Sequence, residues 1–181
     1  DAEERLLESK LAWTIFRPSV IFGAGDGLFG RFAQLLKITP LLPLARANTL
    51  FAPVYVGDVA EAFARALAHP HTIGQRYELF GPQTISLREI VNWTAKLMGR
   101  RRGVIALPDA LGYLQAAVGE WLPGKPISRD NFRSLLLDSV GTRDGLGALG
   151  IVAIPMSLIV PALFAGSPRE NAYTTFRSRY R

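Results

Sequence analysis

The chain contains no cysteine, and that absence removes disulfides, zinc-thiolate centres and thiol nucleophiles from consideration. It is compatible with a reducing compartment. Histidine is almost as scarce: His69 and His71 flank Pro70 in a polar turn with no third ligand nearby, which favours a surface turn over a metal site. No P-loop and no G-x-S-x-G elbow occurs. The glycine-rich turn from Gly23 to Gly30 follows an apolar run but leads through Phe29 rather than a small residue, so it reads as an exit loop and not as a phosphate cradle.

What is present is a chain of 181 residues, 49% hydrophobic, long enough for one domain, or one and a piece, with its own core. The net charge of +6 comes from Arg100 to Arg102 and from Arg169, Arg177, Arg179 and Arg181 near the end. Such a surface attracts phosphates, acidic lipids or acidic partners, and is most simply a solvated face. The opening Asp1-Ala2-Glu3-Glu4 already looks like the first turn of a helix, as expected of a chain cut from something longer.

The organising stretch is Trp13 to Gly25, an apolar run through Arg17, Pro18 and Ser19. It reads as a buried strand of a parallel sheet that stops at Pro18, since proline cannot donate to a ladder. An amphipathic helix over Ala2–Lys10 precedes it. Phe32, Leu35, Leu36 and Lys37 suggest a helix ended by Pro40, and Leu41–Asn48, with Pro43, reads as loop. Phe51–Val56 is a second strand, and Asp58 with Glu61 reads as a capping box opening a helix to Ala68. Gln75–Phe80 is a third strand. Ser86 and Glu89 form another capping box for a helix over Leu87–Met98, stopped by Gly99. Val104–Leu107 is a short strand, followed by helices at Pro108–Val118 and Ser128–Leu137. Strands and helices that alternate as far as Leu107 argue an α/β fold.

Leu146 to Gly166 runs twenty-one residues without a charge before the basic tail, the outline of a membrane span with a positive flank. Pro155 and Pro161 would break the backbone bonding that lipid cannot replace, so short apolar segments packed on the domain are expected instead.

Four stretches in order, T-I-F-R-P-S-V-I-F-G, P-V-Y-V-G-D-V-A-E-A, G-Q-R-Y-E-L-F-G-P and T-I-S-L-R-E-I-V, resemble the C-terminal half of extended short-chain dehydrogenase/reductases. The resemblance runs from about Asp1 to Val140, and is nearest to the atypical branch, labelled NAD-dependent epimerase/dehydratase, that holds a nucleotide-binding accessory subunit of respiratory complex I. It implies the C-terminal part of a Rossmann-like doubly wound parallel sheet, with residues 1–28 and 51–82 in the NAD(P)-binding domain. Residues 29–50 and 83–140 would form a small, mainly helical substrate lobe, and 141–181 apolar segments and a basic tail. The dinucleotide glycines and the catalytic Tyr-x-x-x-Lys would lie upstream of Asp1, leaving no catalytic residue here and weak or no cofactor binding by this chain alone.

Pro18, Ser19 and Val20 match the segment that borders the nicotinamide of NAD or NADP, and Phe22, Phe51 and Pro53 fall where substrate would sit. Sugar-nucleotide epimerases of the superfamily carry a diphosphate-gripping arginine near the second strand. Here the positions are Leu50, Phe51, Ala52 and Pro53, so the implied pocket is apolar and suited to a quinone or lipid. The resemblance thus implies an accessory or quinone-linked oxidoreductase-like factor, cytoplasmic or peripheral at the inner face of a membrane. It would touch membrane or a respiratory complex through residues 146–181, and no nucleic acid. A nucleotide-sugar epimerase/dehydratase and a non-catalytic interaction module are the alternatives.

Overall fold

In the computed structural model, residues 2–25, 28–108, 110–113 and 134–164 are described. Helix α1 (Ala2–Leu7) leads to strand β1 (Ile15–Pro18), which pairs in parallel with β6 (Arg76–Leu79), Ile15 opposite Arg76 and Pro18 opposite Leu79. The parallel pairing expected between Trp13–Arg17 and Gln75–Phe80 is therefore present. The strand stops at Pro18, as expected, and the next amide, Ser19 N–H, still donates to the Leu79 carbonyl at 2.9 Å. β1 is not buried throughout: Ile15 is, Phe16 is half-buried, and Arg17 and Pro18 are exposed.

The expected strand over Phe51–Val56 is two short ones. β4 (Leu50–Phe51) pairs antiparallel with β7 (Ile85–Ser86), and β5 (Val54–Tyr55) pairs in parallel with β2 (Ile21–Phe22). The break falls at Ala52-Pro53, where proline lacks the donor that a ladder needs, and Val56 already opens helix α3 (Val56–Ala68). Leu41–Asn48 is not all loop: β3 (Leu41–Ala45) pairs in parallel with β8 (Gly103–Leu107), Pro43 opposite Ile105. In a two-stranded sheet every strand is an edge, where proline is tolerated.

Helix α2 (Leu28–Ile38) lies against α4 (Leu87–Leu97). The box at Ser86 is complete: Ser86 Oγ accepts from Glu89 N–H, and the Glu89 carboxylate accepts from Ser86 N–H at 2.8 Å. The Ser86 hydroxyl also donates to the Glu89 carboxylate at 2.6 Å, and that bond, followed by the one from Ser86 N–H, holds the Glu89 carboxyl below its usual range. Leu87, Ile90, Val91 and Thr94 form the buried face, and Gly99, at φ +64°, stops the helix in the left-handed conformation glycine favours. Phe22, Phe29, Leu36, Leu42, Phe51, Ile90 and Val91 share one core, with Phe29 edge-on to Phe22 and Trp93. One helical turn occupies 110–113; the remainder of the helix expected over Pro108–Val118, and 128–133 of the one expected over Ser128–Leu137, lie outside the described residues.

The uncharged stretch folds as α5 (Gly145–Ala148), an extended link, and α6 (Met156–Phe164), with Pro161 inside the last. It packs on the rest of the chain: Leu146, Leu149 and Ile151 join a second core with Val54, Val59, Ala62 and Leu79, while Met156 and Val160 enter the first. Among the described residues no helix is long and apolar enough to cross a membrane.

Candidate functional site

At the C-terminal end of β1 three distant segments are tied together through Ser19. Its Oγ donates to the Ser139 carbonyl at 2.6 Å, accepts from Ala52 N–H at 3.3 Å, and lies 3.1 Å from Ser139 Oγ. The Ser139 carbonyl also accepts from Ala52 N–H at 3.0 Å. Val20 is half-buried, and its carbonyl accepts from Val54 N–H at 2.9 Å. Pro18 is exposed and lines a cleft of about 190 Å³ together with Arg17, Glu78 and Asp138 to Gly141. Glu78 anchors its far wall, accepting from Thr142 N–H at 2.7 Å and from Arg143 N–H at 3.0 Å. Those bonds hold the Glu78 carboxyl below its usual range. On the outer side Arg17 reaches back to Glu3 with two nitrogens, joining α1 to the strand end.

Pro18, Ser19 and Val20 are thus together, but the Ser19 amide and hydroxyl and the Val20 carbonyl are already bonded within the protein. A cleft this small falls below the few hundred Å³ that drug-sized ligands occupy.

Phe22, Phe51 and Pro53 are brought together as well, in the interior. Phe22 is fully buried, tilted against Tyr55 at a ring separation of 5.8 Å, and Phe51 and Pro53 are buried beside it. Their side chains hold the core, so in this conformation none faces solvent. Next to them opens a cleft of about 570 Å³ lined by Arg46, Ala47, Asn48, Thr49, Ala106, Leu107 and Leu136 to Asp138. Its lining is mixed rather than apolar. Thr49 Oγ1 donates to the Leu135 carbonyl at 2.8 Å, and Asp138 accepts from Leu50 N–H at 2.8 Å. Arg46 sits at φ +51°, a left-handed turn position rare for a side chain of its size. Nothing in the sequence marks Ser139 or Asp138 as neighbours of Ser19 and Leu50, because the contacts span some ninety to 120 residues.

Asp58 is not a helix cap. The residue before α3 is Tyr55, with no side-chain cap bond, and Asp58 is buried one turn in, where its Oδ2 accepts from Ile154 N–H at 2.8 Å. Burial pushes its carboxyl up, against the pull of that bond. The spacing G-x-G-x-x-G occurs at Gly25-Gly27-Gly30 and at Gly145-Gly147-Gly150. The first lies between β2 and β3, which belong to different sheets, and the second lies across β6 in α5, so neither opens a βαβ unit. His69 and His71 are exposed on a short 3₁₀ turn, and no group of three metal-ligating side chains forms among the described residues.

No family model matches the chain. It is 30% identical over 174 residues, 93% of its length and 43% of the relative's, to NADH dehydrogenase [ubiquinone] 1 alpha subcomplex subunit 9, mitochondrial, of Arabidopsis thaliana. Among solved structures it resembles dTDP-4-dehydrorhamnose reductase from Bacillus anthracis in complex with NADP, at a TM-score of 0.63 and 13% identity, over 91% of this chain and 52% of that one. It also resembles dTDP-glucose 4,6-dehydratase from Streptomyces venezuelae with NAD bound, at a TM-score of 0.60 and 19% identity, over 94% and 47%. The chain spans about half the length of the proteins it matches or less. With the parallel β1–β6 pair and a Rossmann-like α/β arrangement, the chain fits the atypical extended short-chain dehydrogenase/reductases, and along 93% of its residues it is similar to an alpha subcomplex subunit 9 protein.

Proposed function

We propose that this chain supplies the distal sheet strands and the covering lobe of an NAD(P)-binding protein that serves a membrane-associated respiratory oxidoreductase as an accessory subunit, with little or no turnover of its own. The observation that carries this reading is the match across 93% of the chain to a subunit whose name places it in a mitochondrial NADH dehydrogenase. The interior position of Phe51, Ala52 and Pro53 supports it, since a guanidinium there would have to grip a sugar diphosphate from inside an apolar core. Pro18, Ser19 and Val20 would border the nicotinamide. That end of β1 is fastened to Ser139 and Ala52 and so has little freedom to move with a ligand. The pyrophosphate would be held by residues other than these. A peripheral position at a membrane, with 146–181 toward the larger assembly, belongs to the same reading.

The test uses the intact protein that contains this chain, tagged and solubilised in mild detergent. It should co-migrate with NADH:quinone reductase activity on a native gel and bind NADH or NADPH in calorimetry without oxidising it when purified. A purified protein that migrates alone and converts a nucleotide sugar would overturn the reading.

A further inference from the structure

A cationic concavity lies away from Ser19, where the end of α4 meets the starts of β3 and β8. It is a cleft of about 670 Å³ lined by Pro40, Leu41, Asn92, Ala95, Lys96, Arg100 to Arg102 and Gly103. Four cations converge there and no carboxylate lines it. Among the described residues none of the four forms an ion pair. Arg102 Nε is shielded from water and meets no acceptor there. The local fold explains the crowding. Lys96 ends a helix, Gly99 reverses the chain, and Gly103 N–H donates to the Pro40 carbonyl at 3.0 Å, which sets Arg100 to Arg102 beside Pro40 and Leu41.

Leu41 lines the cleft, and Ile38 precedes the lining residue Pro40 by two positions. Ile38 is 85% exposed and Leu41 is 52% exposed, and Lys37 stands in the last turn of α2, which ends at Ile38. Cations beside protruding aliphatic groups match the boundary of an acidic bilayer, with phosphate outside and acyl chains beneath. Single-stranded nucleic acid would call for aromatic stacking platforms, and no aromatic residue lines the cleft. We propose that this cleft docks on the phosphate headgroups of an anionic phospholipid membrane, with Ile38 and Leu41 entering the acyl boundary. The surface is distinct from 146–181, and the proposal does not depend on the respiratory assignment.

Flotation of the intact protein with phosphatidylcholine vesicles, with and without phosphatidylserine, tests it. The protein should float only with the acidic vesicles. Each basic side chain near such a surface is worth about a five-fold change in partitioning, so K96Q/R100Q/R101Q, all exposed positions, should lower it about a hundredfold. The charge-matched triple R177Q/R179Q/R181Q should lower it far less, and I38S should weaken binding without changing its salt dependence. K96E alone serves if the cleft triple does not fold. Equal losses from the two triples would reduce the effect to net charge and overturn the proposal. Release of the wild type by inorganic pyrophosphate at matched ionic strength, with I38S floating as well as wild type, would make it a soluble-anion site. If the cleft triple lost binding to a labelled poly(U) strand while flotation was untouched, the cleft would belong to nucleic acid.

Discussion

The two cores of this chain are built differently. The core around α2 and α4 is enclosed: Phe22, Leu36, Ile90 and Val160 are wholly buried, drawn from segments spread from β2 to α6. The core under β1 and β6 is smaller, and the apolar surface around it stays open, with Phe63 51% exposed and Leu67 89% exposed on α3 and Val152 87% exposed on the link to α6. Helix α3 shows why. Val59 and Ala62 pack inward while Phe63 reaches only the edge of Phe16, at 4.5 Å between ring centres. A helix that is apolar on more than one face is made to be covered on more than one face. The difference separates a unit that can satisfy itself from one that offers a surface.

The sharpest way to break this comparison is in the enclosed core. Phe22→Ala should cost about 3–5 kcal/mol, because the surrounding helices cannot collapse into the space left behind; urea denaturation that found under about 1 kcal/mol would show the core to be as loose as the other. Next comes the tightest contact of the open half. A Cβ on Gly145 would run into the Glu78 backbone of β6, and since backbone cannot swing aside, Gly145→Ala should cost about 1–3 kcal/mol by thermal melting.

Asp58 links the two halves through Ile154, and Asp58→Ala should cost about 1–3 kcal/mol by leaving a buried amide unpaired. Its pH dependence has a definite sign. Burial raises its folded pKa above the ordinary 3.8, so its contribution is complete below that value and is lost as pH rises through the folded pKa. Wild type should therefore lose stability relative to Asp58→Asn over that window. Glu78 runs the other way: its carboxyl is held low by Thr142 and Arg143, so its contribution is present above the ordinary 4.5 and is lost as pH falls through the folded pKa. Acid titration of melting temperature for Asp58→Asn and Glu78→Gln should give opposite slopes, and parallel slopes would refute the assignment. Ser86→Ala should cost about 1 kcal/mol, the ordinary loss of a cap. Smallest of all, Leu67→Ser should change the stability of this chain by less than about 0.5 kcal/mol while improving its solubility; a large loss would mean that the open face is already covered.

What was legible in the sequence follows the range of the interaction. The helix Leu87–Leu97 and its box are local, three residues apart, and were readable outright. The β1–β6 pair was readable because Trp13–Phe16 is an apolar run ahead of Pro18, and Gln75–Phe80, with Tyr77, Leu79 and Phe80, is bounded by Gly74 and Gly81. Strand β3 was hidden by Pro43, whose usual meaning is loop and whose place here is an edge. Asp58 with Glu61 has the spacing of a box, but the helix starts two residues earlier and buries the acid. At the candidate site the positions of Pro18 and Ser19 could be read from the strand end. The hydroxyl bond from Ser19 to Ser139 could not, because no local pattern records a partner 120 residues away. The same holds for Phe22 and Phe51, whose apolar character marks them equally for a pocket wall or a core.

The pairing of β3 with β8 carries a consequence for biogenesis. Parallel strands cannot be joined by a tight turn, and here all of residues 46–102, including α3, β6 and α4, must be made before Leu41 can meet Gly103. During synthesis Leu41–Ala45 leaves the ribosome long before its mate. For that interval an aliphatic edge is available to any other nascent strand, which makes this segment a natural client for a chaperone.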